Sequence, residues 1–263
     1  MPESAGSAMS LTHLLDVNTS LLASTLSGWR GTMIFRPATR QPARPIELYE
    51  FEGCPYCRLV GEALTEMDLD ALIRPCPKGG TRFRPTVQKL GGKLQFPFLV
   101  DPNTGTQHYE SADIVAHLAQ TYGATVCGEA GVLRQLRLTG GRLARGARRG
   151  RGLRARPSRA PEQPLELYSF ESSPYSRLVR EVLCELELPY LLRSTGKARW
   201  QDLGPPGIRA RLFPDLPVTG RNRERLLSLT GRVQVPYLVD PNTSTAMYES
   251  ADIVAYLEST YAR

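Results

Sequence analysis

The sequence predicts an α/β protein made of two copies of one unit, each a strand–helix–strand followed by a helix, a hairpin and a last helix. Two observations carry this. PIELYEF at 45–51 returns as PLELYSF at 164–170, and YESADIVAHL at 109–118 returns as YESADIVAYL at 248–257. Within each copy, short β-rich runs alternate with stretches of helical spacing, and turn residues separate them.

Each element follows in order. Residues 46–51 are β-rich and lead into a helix over about 55–67. Pro55 stands at its first position, where a missing N–H costs nothing. Leu72 and Ile73 mark a second strand, and a short helix is expected near 86–90. Residues 98–100 and 107–109 form a hairpin around Asp101-Pro102-Asn103-Thr104-Gly105, a run of strong turn formers. Ser111 is expected to cap a last helix over about 112–122. The order βαβ-α-ββα is that of the thioredoxin fold, and the second copy repeats it over about 165–261. The copies are 119 residues apart at PYCRLV (55–60) and PYSRLV (174–179), but 139 apart at FPFLVDPNT (96–104) and VPYLVDPNT (235–243). The extra residues fall at about 198–220, where Pro205, Pro206, Gly207, Pro214 and Pro217 indicate an inserted surface loop.

The chain therefore divides into an N-terminal extension (1–44), a first thioredoxin-like domain (45–123), an Arg/Gly-rich linker (124–163) and a second thioredoxin-like domain (164–263). In the extension, Leu11, Leu14, Leu15, Leu22, Leu26 and Trp29 recur at helical spacing, so about 10–28 reads as an amphipathic helix packing on the body of the protein. Leu133, Leu136 and Leu143 suggest a short helix within the linker. The formal charge is +7, and residues 130–161 hold ten arginines and no acidic residue; without those arginines 23 basic residues face 26 acidic ones. The folded parts are thus not basic. The run reads as solvated, the alternative being a patch for RNA or an acidic partner. No aromatic residue interleaves with it for stacking on single strands, and nucleic acid is not expected as a partner. No run approaches the ~18 apolar residues of a membrane span. The five cysteines, an odd and sparse set, point to a reducing compartment, the cytoplasm or, in a plant or alga, the plastid stroma.

The chemistry rests on one pair of segments, FEGCPYCRLV at 51–60 and FESSPYSRLV at 170–179. Cys54 and Cys57 of the first become Ser173 and Ser176 in the second. Cys54 lies at a strand-to-helix junction, where free backbone N–H groups and the helix dipole favour a thiolate. Cys57 follows one turn later, within reach to resolve a mixed disulfide. Arg58 is a further source of positive charge. A zinc site would need two more ligands, and His13, His108 and His117 are scattered, so no metal site is read. Phe96-Pro97 and Val235-Pro236 each precede an apolar strand, and a cis peptide is expected at both, an ordinary trans proline being the alternative. In this fold that loop faces the active cysteine, so the backbone of Phe96 can pair with a peptide-like ligand. Glu110-Ser111 and Glu249-Ser250 open the last helix of each copy. A helix N-terminus there can hold a carboxylate at Ser111 while Glu110 pairs with an ammonium, the signature of a free α-amino acid end; plain capping is the alternative.

Together, Cys-Pro-Tyr-Cys, the pre-strand proline and Glu-Ser-Ala-Asp-Ile-Val resemble the N-terminal, glutathione-binding domain of glutathione S-transferases, close to glutaredoxins. The tandem layout, with CPKGG at 76–80, is similar to plant plastid and bacterial proteins carrying two such domains. The resemblance covers about 45–123 and 164–261. It implies glutathione as co-substrate or ligand, Cys54 as nucleophile and Cys57 as resolving thiol. It implies that Phe96, Pro97, Glu110 and Ser111 hold glutathione and that Lys78 or Arg82 meets its glycine carboxylate. Ser173, Ser176, Val235, Pro236, Glu249 and Ser250 are the second-copy equivalents. Transferases normally continue into an all-helical domain, and here a second thioredoxin-like unit follows instead. The expected function is glutathione-linked thiol–disulfide exchange on disulfides or glutathionylated proteins, with a non-redox second domain. Alternatives are a non-catalytic glutathione- or protein-binding module, iron–sulfur binding and glutathione conjugation.

Overall fold

A computed structural model describes residues 11–125, 131–204, 211–213 and 216–263. Cys127 and, in the expected loop, Pro205, Pro206, Gly207 and Pro214 lie outside the described residues. The first half holds α1 (Leu11–Leu26), β1 (Ile46–Glu50), α2 (Pro55–Glu66), β2 (Ala71–Pro75), α3 (Arg84–Gly91), β3 (Phe98–Asp101), β4 (Thr106–Tyr109) and α4 (Ser111–Tyr122). The second holds α5 (Gly131–Ala147), β5 (Leu165–Ser169), α6 (Pro174–Glu185), β6 (Tyr190–Ser194), α7 (Arg221–Thr230), β7 (Tyr237–Asp240), β8 (Thr245–Tyr248) and α8 (Ser250–Tyr261). A 3-10 turn at Trp200–Asp202 lies in the insertion. Among the described residues no helix is long and apolar enough to cross a membrane.

Each half has the expected βαβ-α-ββα order, but the two are fused. All eight strands form one sheet, ordered β4-β3-β1-β2-β6-β5-β7-β8. β1 runs parallel to β2 and antiparallel to β3, and β5 does the same with β6 and β7. The halves meet where β2 pairs antiparallel with β6, Leu72 opposite Leu191. A single hydrophobic cluster joins Ile46, Leu48, Leu64 and Ile114 of one half to Leu165, Leu183, Leu238 and Ile253 of the other. Full burial of each such side chain is worth about 1.5–3 kcal/mol.

The segment preceding each half packs on the other half. Ser20 and Ser24 of α1 donate hydrogen bonds to the carbonyls of Pro174 and Ser172, both at 2.7 Å, at the start of α6. The chain after α1 then bridges to Lys197, with Lys197 N–H donating to Thr32 O and Ile34 N–H to Lys197 O. In the mirror arrangement α5 packs on α2, and the chain after it bridges Lys78 through Leu153 O and Ala155 N–H. Gly31 and Gly152 play equivalent parts. Both have positive φ, and a Cβ on them would meet the Cβ of Glu171 at 2.7 Å and of Glu52 at 2.8 Å, respectively.

Several expectations change here. The helix over 10–28 exists, but its leucines do not pack on the body. Leu11, Leu15 and Leu22 are 74%, 58% and 50% exposed, and Leu14, Leu26 and Trp29 are exposed too. The packed face is Val17, Ser20, Ala23 and Ser24. The reason is that α1 docks against backbone, at the start of α6 and at Gly140 of α5, where a Cβ would meet Leu26 O at 2.6 Å. Only small side chains and hydroxyl donors fit there.

The segment 124–163 contains a 17-residue helix rather than a solvated connection alone. Of the leucines expected there, Leu136 and Leu143 are exposed and the side chain of Leu133 lies outside the described residues, while Leu138 and Ala144 are buried. Part of the arginine run is also not solvated. Arg148 is buried and binds Glu181 in a two-point ion pair, at 2.8 and 2.6 Å, while donating to Asp16 O at 2.8 Å. Arg137 pairs with Glu62 at 2.5 Å, and Arg156 with Glu185 and Glu258. These arginines fasten the arms to the core.

Arg148 and Glu181 are both almost fully buried, so removing one partner strands the other. Arg148→Met is expected to cost about 3–5 kcal/mol, and the double variant Arg148→Met/Glu181→Leu to recover much of that in denaturant unfolding. A single variant within ~0.5 kcal/mol of wild type would contradict the assignment.

Candidate functional site

β1 is covered on both faces, with Ile46 and Leu48 buried in one cluster and Tyr49 in another, and it carries the chain to the start of α2. There Cys54 takes an extended conformation as the N-cap residue, and its sulfur accepts the N–H of Cys57 at 3.3 Å. Pro55 follows at the first helical position. The cap thus does what a serine or aspartate cap does, with sulfur as acceptor. Cys54 is 5% exposed and Cys57 1%.

The two thiols are pushed apart electrostatically. The hydrogen bond from the Cys57 thiol holds Cys54 below the ordinary cysteine value; burial opposes it, and the N–H groups of Cys57 and Tyr56 and the charge of Arg145 add to the lowering. Burial pushes Cys57 well above that value, and the neighbouring Cys54 sulfur reinforces the shift. The shifts run in opposite directions, favouring the thiolate at Cys54 and the protonated thiol at Cys57. Burial also raises Cys76 and Cys184. The thiol of Cys184 donates to Gly152 O at 3.2 Å, in keeping with a core residue.

Cys54 opens into a cleft of about 500 Å³ lined by Phe51, Cys54, Pro55, Tyr56, Lys78, Phe96, Arg142 and Arg145. The volume suits a small ligand. Apolar rings form one part of the wall and three cations another. Arg84 stacks over the Phe96 ring at 4.9 Å. The peptides before Pro97 and Pro236 are both cis.

Of the site residues expected from sequence, the structure brings Cys54, Lys78 and Phe96 together around this cleft. Glu110 and Ser111 lie at the start of α4 and are not part of its lining. Glu110, not Ser111, is the N-cap, with φ of 61° and no side-chain cap bond. Ser111 is the first helical residue and is buried, and its hydroxyl accepts from Arg134 of α5 at 3.5 Å. Glu110 accepts a hydrogen bond from Gln95, and Glu249 from Gln234. Arg82 is engaged with the carbonyls of Leu186 and Glu187 and with Ser158, so it is tied to the fold rather than to the cleft. His108 and His117 are not scattered but stacked at 4.3 Å, with His117 Nε2 2.8 Å from Asp101. Among the described residues no group of three or more potential ligands could hold a metal ion.

Sequence reasoning missed Phe51, Tyr56, Arg142 and Arg145. The usable signal was Gly140-Gly141: a Cβ on Gly141 would meet Pro55 Cβ at 3.1 Å, so this pair lets α5 lie against the start of α2. Arg142, the next residue, and Arg145, one turn on from Gly141, then line the cleft.

In the second half, Ser173 repeats the cap, its hydroxyl accepting Ser176 N–H at 3.2 Å. The start of α6 is occupied by α1 through Ser20 and Ser24, and Arg177 donates back to Ser20 O at 2.7 Å. Ser173, Ser176 and Ser250 are buried.

A profile of the family described as "Glutathione S-transferase, N-terminal domain" matches residues 48–126 and 167–263. Together these make up about two thirds of the chain. Among solved structures, a delta-class glutathione transferase of Nilaparvata lugens shares 30% identity over 34% of this chain and 39% of that one, with a TM-score of 0.25. The chain therefore spans about two fifths of that enzyme's length. A trimeric glutathione transferase of Leishmania shares 13% identity over 84% of this chain and 68% of that one, with a TM-score of 0.27. Among curated proteins none matches.

Alkylation of the native protein across pH is expected to modify Cys54 with a midpoint below about 8.5, and to leave Cys57, Cys76 and Cys184 unmodified. Peptide mapping after a short pulse reads both. A midpoint at or above 8.5, or modification of Cys57 first, would overturn the assignment of the thiolate.

Proposed function

Because the chain belongs to the glutathione S-transferase N-terminal domain family, we propose that it works as a glutathione-linked thiol–disulfide oxidoreductase through its first half. One observation carries the reading. Cys54 caps α2 at the floor of an open cleft with its thiol value lowered, while Cys57, one turn on, is held protonated.

The residues divide the work as follows. The Cys54 thiolate attacks one sulfur of a disulfide R–S–S–R′, forming a bond to it as the S–S bond breaks. R′S⁻ leaves and takes a proton. Cys57 then loses its proton and attacks Cys54 Sγ, releasing RSH and leaving a Cys54–Cys57 disulfide. Two glutathione molecules reduce that pair and leave as glutathione disulfide, so the electrons balance. When bound, glutathione supplies the reducing thiol. The fit of this chain to it rests on the cation Lys78, which suits a carboxylate, and on the backbone at Phe96 beside Pro97. Glu110 and Ser111 would take its amino acid end from the start of α4. The second half serves as a non-redox unit, since Ser173 and Ser176 cannot form a disulfide. Such thiol chemistry belongs in a reducing compartment, the cytoplasm or a plastid stroma.

Conjugation of glutathione to an electrophile is the second reading, favoured by the apolar wall of Phe51, Tyr56 and Phe96. Cys57 separates the two, because conjugation does not use it.

Glutathione-coupled reduction of a small disulfide is expected in wild type and to fall at least ~100-fold in Cys54→Ser. Cys57→Ser should lose reduction of protein disulfides but keep reduction of glutathionyl mixed disulfides. Equal rates in wild type and Cys54→Ser would sink the proposal. Adding Ser173→Cys and Ser176→Cys to the Cys54→Ser chain is expected to restore nothing, because α1 occupies the start of α6.

A further inference from the structure

The helix that covers the reactive cysteine is not part of either matched family segment. α5 spans Gly131–Ala147, between the matches at 48–126 and 167–263. Its four arginines behave in two ways. Arg134 reaches the Ser111 hydroxyl, and Arg137 is paired with Glu62. Arg142 and Arg145 point to the cleft beside Cys54, and among the described residues their guanidinium groups have no hydrogen-bond or ion-pair partner. Lys78, the third cation of the lining, has none either. No acidic residue lines the cleft.

Other arginines of the arm serve the fold: Arg148, Arg151 and Arg156 each have a carboxylate partner. The cleft-lining pair departs from the equivalent arm of the other half. There α1 presents Ser20, Ala23 and Ser24 to the start of α6, with two hydroxyls bonded to backbone carbonyls. Two helices occupy matching places, and only the one over the sulfur carries unpaired cations toward it.

We propose that Arg142 and Arg145 make the Cys54 cleft selective for anionic substrates, meaning disulfides with carboxylates close to the sulfur that Cys54 attacks. The inference rests on the oxidoreductase reading for its turnover, but its electrostatic content does not. Three cations around an apolar-walled cleft raise the local concentration of an anion and stabilise it as it approaches the sulfur. The carboxylates form two-point bonds to the guanidinium forks, and the apolar stem lies on Phe51 and Phe96. Exchange then proceeds as above, with glutathione as reductant: a bond forms between Cys54 Sγ and the nearer sulfur, and the far sulfur leaves as thiolate.

The first measurement needs no turnover. Native chain is alkylated at Cys54 with iodoacetate, an anion, and with iodoacetamide, its neutral analogue, under the same conditions. The ratio of the two rates cancels any change in thiolate content, because both reagents need the same thiolate. In wild type the ratio is expected to exceed that of Arg142→Ala/Arg145→Ala about tenfold, and to decline toward it as salt is raised. Arg142→Lys/Arg145→Lys should keep most of the preference. A double-alanine ratio equal to wild type overturns the proposal.

The second measurement compares kcat/KM for an anionic and a neutral small disulfide at saturating glutathione, so that any weaker attraction of the anionic reductant does not enter. The double-alanine variant is expected to lose about tenfold on the anionic one and little on the neutral one. Equal losses on both would assign the arginines to the fold rather than to substrate choice. Absence of turnover on either substrate with the alkylation ratio intact would count against the oxidoreductase reading alone.

Discussion

The antiparallel pairing of β2 with β6 is the contact on which the rest of the structure depends. It removes one exposed edge from each half-sheet, leaving β4 and β8 as the outer strands, and merges two small cores into one. It also forces charged groups at the seam out of water. Glu52 receives two hydrogen bonds from Arg180, at 2.9 and 2.8 Å, and Glu171 lies against Arg180 and Arg58. Burial works against the charge on Glu52, and Arg180 overcomes it, holding the carboxyl below its ordinary value. Burial raises Glu171. Charges this deep persist only when paired, so the seam tolerates few changes on either side.

Once the halves are fixed in this way, the exchange of arms follows. α1 reaches the start of α6, and α5 reaches the start of α2, each bridged further on to a lysine of the half it visits, Lys197 or Lys78. Close approach is what selects residues here. Gly140 and Gly141 on α5, and Ser20, Ala23 and Ser24 on α1, keep the helices near enough to touch backbone. The arms therefore decide the chemistry of two sites that the core builds alike. One cap, Cys54, opens into a cation-lined cleft; the other, Ser173, is met by hydroxyls donated to its neighbours' carbonyls.

The two copies of the motif are thus unequal for two independent reasons. The second has no sulfur, and its helix end is already engaged by the chain itself. In the first, sulfur serves as a helix cap, so the group that starts the helix is the group available for chemistry. The separation of the two thiols comes from depth: Cys57 is one turn further into the core, and burial keeps its proton on.

The pattern of residues was sufficient for the order of elements in each half and for Cys54 at the cap of α2, whereas Lys78 beside it came only with the family resemblance. The elements follow from local causes: the β-rich run of β1, the N1 proline, the turn run at 101–105 and the repeat itself. Other features depend on partners distant in the chain. The leucine face of α1 looked like a packing face because periodicity shows that a helix has two faces, but not which one meets the body. The burial of Arg148 against Glu181, and the approach of Arg142 and Arg145 to Cys54, are set by α5 crossing to a helix end some ninety residues earlier in sequence. Sequence alone determined the units and the place of Cys54 at the start of α2, because backbone conformation and helix capping are local. Only the tertiary structure decided that the units share one sheet, that their arms cross, and that arginines face the sulfur, because those are choices between surfaces that no local pattern distinguishes.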